Sequence, residues 1–367
     1  MFTSIYLSAF LMDFMNSCVS IALALFLADM KGSSSMTIGL AGFVAGFSYT
    51  ATTFLKARFF SGANRSWFIY TPGIAGLIYF SFFFVPVPVI LVFLLLAGFF
   101  YGIYWPTVQY FFSGEEGMKR LGVFNLCWSG GIICGSFMAG HLYAYDPLAP
   151  FAAALAMGLA AMAGLYMIKE RPLSDSSSPA ESRDRGNAAL SEIGEVRILS
   201  FLHMTSVGAI MFLFPKLGLE RGFSPQMIGI MFATLLLFRF LTFVLLRGKG
   251  IILRNHTFII SCLLFSLGSF FTGKGSHPSI IFASMIVIGV TGAFSYHNSL
   301  ILHLKHNLPT EIHEGIIGGG LFLGPLIAGF FGHIAGIQAA FQILGLIIIV
   351  AGIFFSFARP LIRGRIA

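Results

Sequence analysis

The sequence predicts an all-α membrane protein, with 12 transmembrane helices arranged as two pseudo-symmetric six-helix bundles. Three observations lead there. With 57% hydrophobic and only 10% charged residues, and a mean hydropathy of +0.88, the 367-residue chain carries too little charge to clothe a water-soluble globule. Its apolar residues gather into a dozen runs, each close to the ~20 residues a helix needs to cross hydrocarbon. The second half also repeats features of the first at a nearly constant offset.

The first six runs fall at 5–28, 37–57, 67–84, 89–111, 121–142 and 150–168. The second six fall at 197–214, 225–246, 257–272, 279–303, 315–334 and 338–358. Unbroken stretches such as 89–100 lack the alternation of a membrane barrel strand, and helices satisfy their own backbone groups in lipid. The first run is too long, and lacks the basic leader, for a cleaved signal peptide, so it is expected to stay as a helix. The expected units are a bundle at 1–168, a linker at 169–196 and a bundle at 197–367. The linker holds Ser174-Asp175-Ser176-Ser177-Ser178-Pro179 and is too poor in apolar residues to build a core. At its end Asn187 suits the cap of a short surface helix presenting Leu190, Ile193 and Val196, with simple disorder as the alternative.

Charge sets the expected orientation. Of the 22 Lys and Arg, 17 fall in the segments on the side of both termini and the linker. Lys31, Lys216, Arg221 and Lys274 fall on the other side, and Arg239 lies inside a run. Basic residues are retained on the cytoplasmic face, so a cytoplasmic (inner) membrane with both termini inside is expected. The net charge of +8 is thus a topology signal rather than a nucleic-acid footprint. Cys18, Cys127, Cys134 and Cys262 are dispersed within runs and are expected to be free thiols. The sequons at Asn64 and Asn255 lie on the expected cytoplasmic side and are disregarded.

At a shift of 190, Lys31-Gly32 aligns with Arg221-Gly222, Ser34 with Ser224, Ile38-Gly39 with Ile228-Gly229, and Gly102 with Gly292. At 189, Gly131, Gly135, Ala139 and Gly140 align with Gly320, Gly324, Ala328 and Gly329. Two like-oriented halves of this kind are related by an axis along the membrane normal, with a solute site between them near the midplane.

Through this layout and two motifs the whole chain resembles the major facilitator superfamily. Gly131 to Gly140 is similar to the family's antiporter signature GxxxGPxxGG, with Ser136 in place of proline and Ala139 in place of glycine. Gly320 to Gly329 is closer, keeping Pro325, with Ala328 departing. Small residues four apart let helices approach and the proline can bend them, so Gly131, Gly135, Gly140, Gly320, Gly324, Pro325 and Gly329 form the expected conformational motif, with ordinary packing as the alternative. The family's GxLADRxGRR loop is degraded at Lys56 to Arg65, which lacks the acid that helps latch the cytoplasmic side. The resemblance implies a secondary active transporter that works by alternating access and needs no cofactor.

Ionisable residues inside spans are costly and normally face a wet cavity or a partner. Asp13, Asn16, Ser17 and Ser20 follow helical spacing along one stripe of the first run. The 190-residue shift sets His203 opposite Asp13, and Ser206 opposite Asn16. A desolvated carboxylate and a histidine are suitable proton carriers, so Asp13 and His203 are the expected proton-coupling pair. The alternatives are a solvated structural acid and a packing histidine. Arg239 keeps its charge and either pairs with an acid such as Asp13 or anchors an anionic solute. Tyr101, Trp105 and Gln109 share a face of the fourth run, Asn125, Trp128 and Ser129 lie in the fifth, and Tyr296, His297 and Asn298 follow one another in the tenth. Rings beside amides suit an amphipathic or ring-bearing solute, making Asn16, Tyr101, Trp105, Gln109, Asn125, Trp128, Arg239, Tyr296, His297 and Asn298 the expected binding set. The three successive residues of the tenth run cannot all face one cavity.

No hydrolase, metalloprotease or phosphate-loop motif is present, and His303, His306 and His313 lack metal-ligand spacing. Glu115-Glu116 beside Lys119-Arg120 is expected to be an ion-pair cluster. The expected function is proton-coupled efflux of a small organic solute by a monomer, with protons and membrane lipids as partners, no metal and no enzymatic activity. The alternatives are uptake of a small anionic solute held by Arg239, His203 and His297, or a lipid scramblase or receptor without coupled transport.

Overall fold

A computed structural model of the chain describes residues 2–59, 65–110, 114–168, 187–246, 255–305 and 310–364. The first half holds α1 (Phe2–Asp29), α2 (Ser35–Phe59), α3 (Arg65–Ser81), α4 (Val87–Tyr110), α5 (Gly114–Tyr145) and α6 (Ala149–Tyr166). The second holds α7 (Asn187–Glu220), α8 (Pro225–Leu246), α9 (Asn255–Lys274), α10 (Pro278–Lys305), α11 (Thr310–Ile334) and α12 (Ile337–Gly364). Each contains a segment long and apolar enough to cross a membrane, and each covers one apolar run of the sequence.

Two details differ from expectation. Among the described residues no separate surface helix precedes the seventh span: α7 starts at Asn187 and continues unbroken to Glu220. The reason is local, since Ala188, Ala189 and Leu190 favour helix and no proline stands between Asn187 and the span. A turn of 3₁₀ helix at Phe82–Phe84 closes α3 ahead of Pro86, which cannot continue it. The linker residues 169–186 and the motif loop at 60–64 lie outside the described residues.

Packing follows the repeat. In the first half α1 packs on α5 and α6, α2 on α4, and α3 on α4 and α6. Adding six to each number gives the second half: α7 on α11 and α12, α8 on α10, α9 on α10 and α12. The halves meet where α2 packs on α11 and α5 on α8, two contacts that exchange under the same rule, and where α1 meets α7. Both α1 and α7 are central, with 78% and 83% of their apolar windows buried against 33–50% for the other helices.

Turn chemistry repeats too. Gly32 and Gly222 both take left-handed φ, +55° and +76°, after α1 and α7, where a side chain would be strained. The next helix is then capped by an equivalent serine, with the Ser34 hydroxyl accepting from Thr37 N at 3.2 Å and the Ser224 hydroxyl from Met227 N at 3.3 Å.

Candidate functional site

Among the described residues, Asp13 anchors a polar centre inside the spans of the first half, and His203 and Arg239 one inside those of the second. The first is built on α1. Asp13 is buried, 5% exposed, and accepts a hydrogen bond from the Tyr101 hydroxyl of α4. One turn on, Asn16 accepts from the Tyr79 hydroxyl of α3 at 3.0 Å. Tyr104 of α4 shares a hydrogen bond with Ser8 at 2.8 Å. Tyr101 also contacts Tyr49 of α2 and Trp105, each with ring centroids 5.9 Å apart. Tyrosines from three helices thus close around the inner stripe of α1, supplying hydroxyls where lipid offers none.

The stripe itself divides. Ser17 turns to α5, where its hydroxyl meets that of Ser136 at 2.6 Å, and Ser20 donates to its own helix at Asn16 O. Ser136 stands where the glycine signature has proline. In this half the position cross-links α5 to α1, whereas Pro325 of α11 lies against α2 at Gly39 and Gly42 and against α7 at Gly208. The glycines act as close-approach points. A side chain at Gly131 or Gly135 would strike the α1 backbone at Phe10 or Phe14, and one at Gly320 or Gly324 the α7 backbone at Phe201 or Thr205. Gly140 lies against Pro225 of α8, and Gly329 against Gly39 and Ser35 of α2, so these two hold the halves together.

The second centre is built on α7. His203 is 1% exposed, its ring stacked on Phe265 of α9 at 4.8 Å, and neither ring nitrogen has a hydrogen-bond partner. Gly292 of α10 makes room for it, because any side chain there would overlap the imidazole. Below it Ser206 and Ser269 share a hydrogen bond. This bond repeats Asn16–Tyr79 at the 190-residue shift, joining α7 to α9 as the other joins α1 to α3. Arg239 of α8 lies over the rings of Tyr296 and Phe243, 5.3 and 5.6 Å from their centroids, and its Nε has no partner. Among the described residues neither Asp13 nor Arg239 takes part in an ion pair, while Lys216 and Glu220 pair at 3.4 Å near the end of α7.

The structure therefore brings Asp13, Asn16, Tyr101 and Trp105 together in one half, and His203, Arg239 and Tyr296 in the other. Trp128 donates to Asn125 along α5, at 3.1 Å. Asn298 is fully buried and donates back to Phe294 O at 2.8 Å, whereas His297 is half-buried. The side chains of Gln109, Glu115, Glu116, His303, His306 and His313 lie outside the described residues. All four cysteines are free. Sequence reasoning missed Tyr79, Tyr104, Phe243 and Phe265; Tyr79 alone carried a signal, since it falls 190 residues before Ser269.

Comparison with known proteins agrees with this architecture. A POT family transporter in complex with 5-aminolevulinic acid superposes with a TM-score of 0.76 at 12% identity, over 98% of this chain and 96% of that one. The nucleoside transporter NupG gives 0.70 at 14%, over 98% of each chain. A bacterial homologue of the human lysosomal transporter Spinster, in an inward-facing and occupied conformation, gives 0.70 at 12%, over 98% and 96%. At such identities the likeness shows the fold alone. No curated protein matches in sequence. The family model of the Major Facilitator Superfamily matches residues 5–318, and with 12 helices in the same arrangement the chain belongs to that superfamily.

Proposed function

We propose that the chain is a secondary active transporter that moves a small organic solute by alternating access and is coupled to protons through Asp13. One observation carries the reading. Asp13 is a carboxyl buried mid-span and bonded by a tyrosine hydroxyl, with no cation paired to it among the described residues. A carboxyl that passes between a packed site and one open to water changes its proton affinity in between, and that change is what couples a proton to a conformational cycle. The Tyr101 hydroxyl serves both states: it donates to the carboxylate and accepts from the carboxylic acid. The tyrosine and tryptophan rings beside Asp13 supply apolar area for the solute, and the hydroxyls and the Asn16 amide supply orientation. Efflux is the direction favoured by the antiporter-like glycine runs in α5 and α11.

The test uses purified protein in liposomes with a trapped pH-sensitive dye, screened with small ring-bearing solutes. A solute that crosses should move protons with it, and in efflux geometry the protons move opposite to the solute. Solute crossing with no proton movement at any pH would overturn the coupling.

A further inference from the structure

We propose that His203, Arg239 and Tyr296 form the subsite that takes the anionic group, a carboxylate or phosphate, of a small ring-bearing solute. The inference rests on the transporter reading and names its substrate class.

The argument starts from an uncompensated charge. Arg239 cannot shed its proton, and a permanent cation inside a span requires a partner or water. Its own half offers no acid at that depth: Glu192, Glu195, Glu220, Glu311 and Glu314 all fall near helix ends. The acid of the other half, Asp13, is bonded by Tyr101. The guanidinium instead lies across Tyr296 and Phe243, an arrangement that orients its plane and leaves Nε unpartnered.

His203 supplies the second, independent observation. It is almost fully buried, and two ring nitrogens without partners are costly there unless something arrives to use them. About one turn apart on α10, Gly292 faces the His203 ring and Gly289 the backbone at Arg239, with Tyr296 a turn further on, so α7 and α8 bring the two residues to the same stretch of α10. The position of His203 is set by the Phe265 ring stacked on it and by Gly292, whose missing side chain leaves room for the imidazole. A neutral imidazole donates one hydrogen bond and a guanidinium donates in a planar fork. Together, beside the rings of Tyr296 and Phe243, they match the several lone pairs of a carboxylate or phosphate. A neutral amide or alcohol would leave the guanidinium uncompensated.

The test measures thermal stabilisation of the full chain in phosphatidylcholine nanodiscs by benzoate and phenyl phosphate, against benzamide and benzyl alcohol as neutral matches. At least one anion should raise the melting temperature dose-dependently, and the neutral compounds should not. Arg239→Gln should weaken the anion effect about tenfold or more. Arg239→Lys keeps the charge without the fork and should fall between, guarding against a Gln variant that folds poorly. His203→Gln should weaken binding less than Arg239→Gln does. The two readings fail separately, because the nanodisc assay has no pH gradient: anion stabilisation without proton movement in the liposome assay would remove the proton reading alone, and proton movement without anion stabilisation would remove this subsite alone. The proposal is overturned if no anion stabilises, if the neutral compounds stabilise equally, or if Arg239→Gln binds undiminished. It is overturned as well if stabilisation appears only in phosphatidylglycerol nanodiscs without soluble anion, which would assign the subsite to a lipid headgroup.

Discussion

Asp13 and His203 stand 190 residues apart at equivalent places in the repeat, yet their surroundings differ in kind. Asp13 meets hydroxyls, and His203 meets a phenylalanine face and a glycine. Asp13, His203 and Arg239 were legible in the sequence because each interrupts an apolar run, where lipid would not tolerate it. Their partners were not. Tyrosines are common in apolar runs, and nothing in one helix tells which neighbour its hydroxyl meets. Ser17 illustrates the limit, since its spacing assigned it to the Asp13 stripe while a second hydroxyl at Ser136 draws it to α5. If the Tyr101 hydroxyl holds Asp13 in both protonation states, Tyr101→Phe should fold and yet lower gradient-driven accumulation by about tenfold, equivalent to ~1.4 kcal/mol. Accumulation assays in proteoliposomes check this, and an unchanged rate with unchanged proton movement would remove Tyr101 from the mechanism.

At the scale of helices, what the repeat preserves is close approach. Gly131 and Gly135 let α5 lie on α1, and Gly320 and Gly324 let α11 lie on α7, each facing backbone rather than side chains alone. Backbone cannot move aside for an added side chain as a flexible side chain can, so substitution separates the helices. Gly135→Val and Gly324→Val should therefore both lower the melting temperature substantially, a loss of about 1–3 kcal/mol each. Gly164→Ala, with open space around it, should change little. Thermal unfolding in detergent checks the set; a large loss at one equivalent position without the other would contradict the shared role. These glycines could be read from the sequence because the motif spacing repeats. The continuity of α7 back to Asn187 could not, since a polar opening turn and a flexible linker share the same composition.

For the whole molecule, hydropathy and internal repetition carried the fold because lipid leaves few alternatives to helices, and an axis of repetition limits how they pack. How the halves touch was not legible: Gly140 against Pro225, and Gly329 against Ser35, are contacts between bundles with no local signal of their partner. The proposed alternating access requires at least one of these seams to loosen. A Cβ at Gly332 would stand 2.9 Å from that of Ser35, closer than the ~3.8 Å of a disulfide, so after a slight parting of α2 and α11 cysteines at both positions, in a background with Cys18, Cys127, Cys134 and Cys262 replaced by alanine, should form a disulfide between halves. Oxidation should stop transport and reduction restore it, measured as solute flux with the cross-linked fraction determined in parallel; full cross-linking with undiminished flux would argue against opening at this seam. The most direct test of the account is Asp13→Asn, followed in one preparation by pH-gradient-driven accumulation and by solute counterflow without a gradient. The account predicts that accumulation disappears while counterflow persists. Accumulation equal to that of the wild type would contradict it.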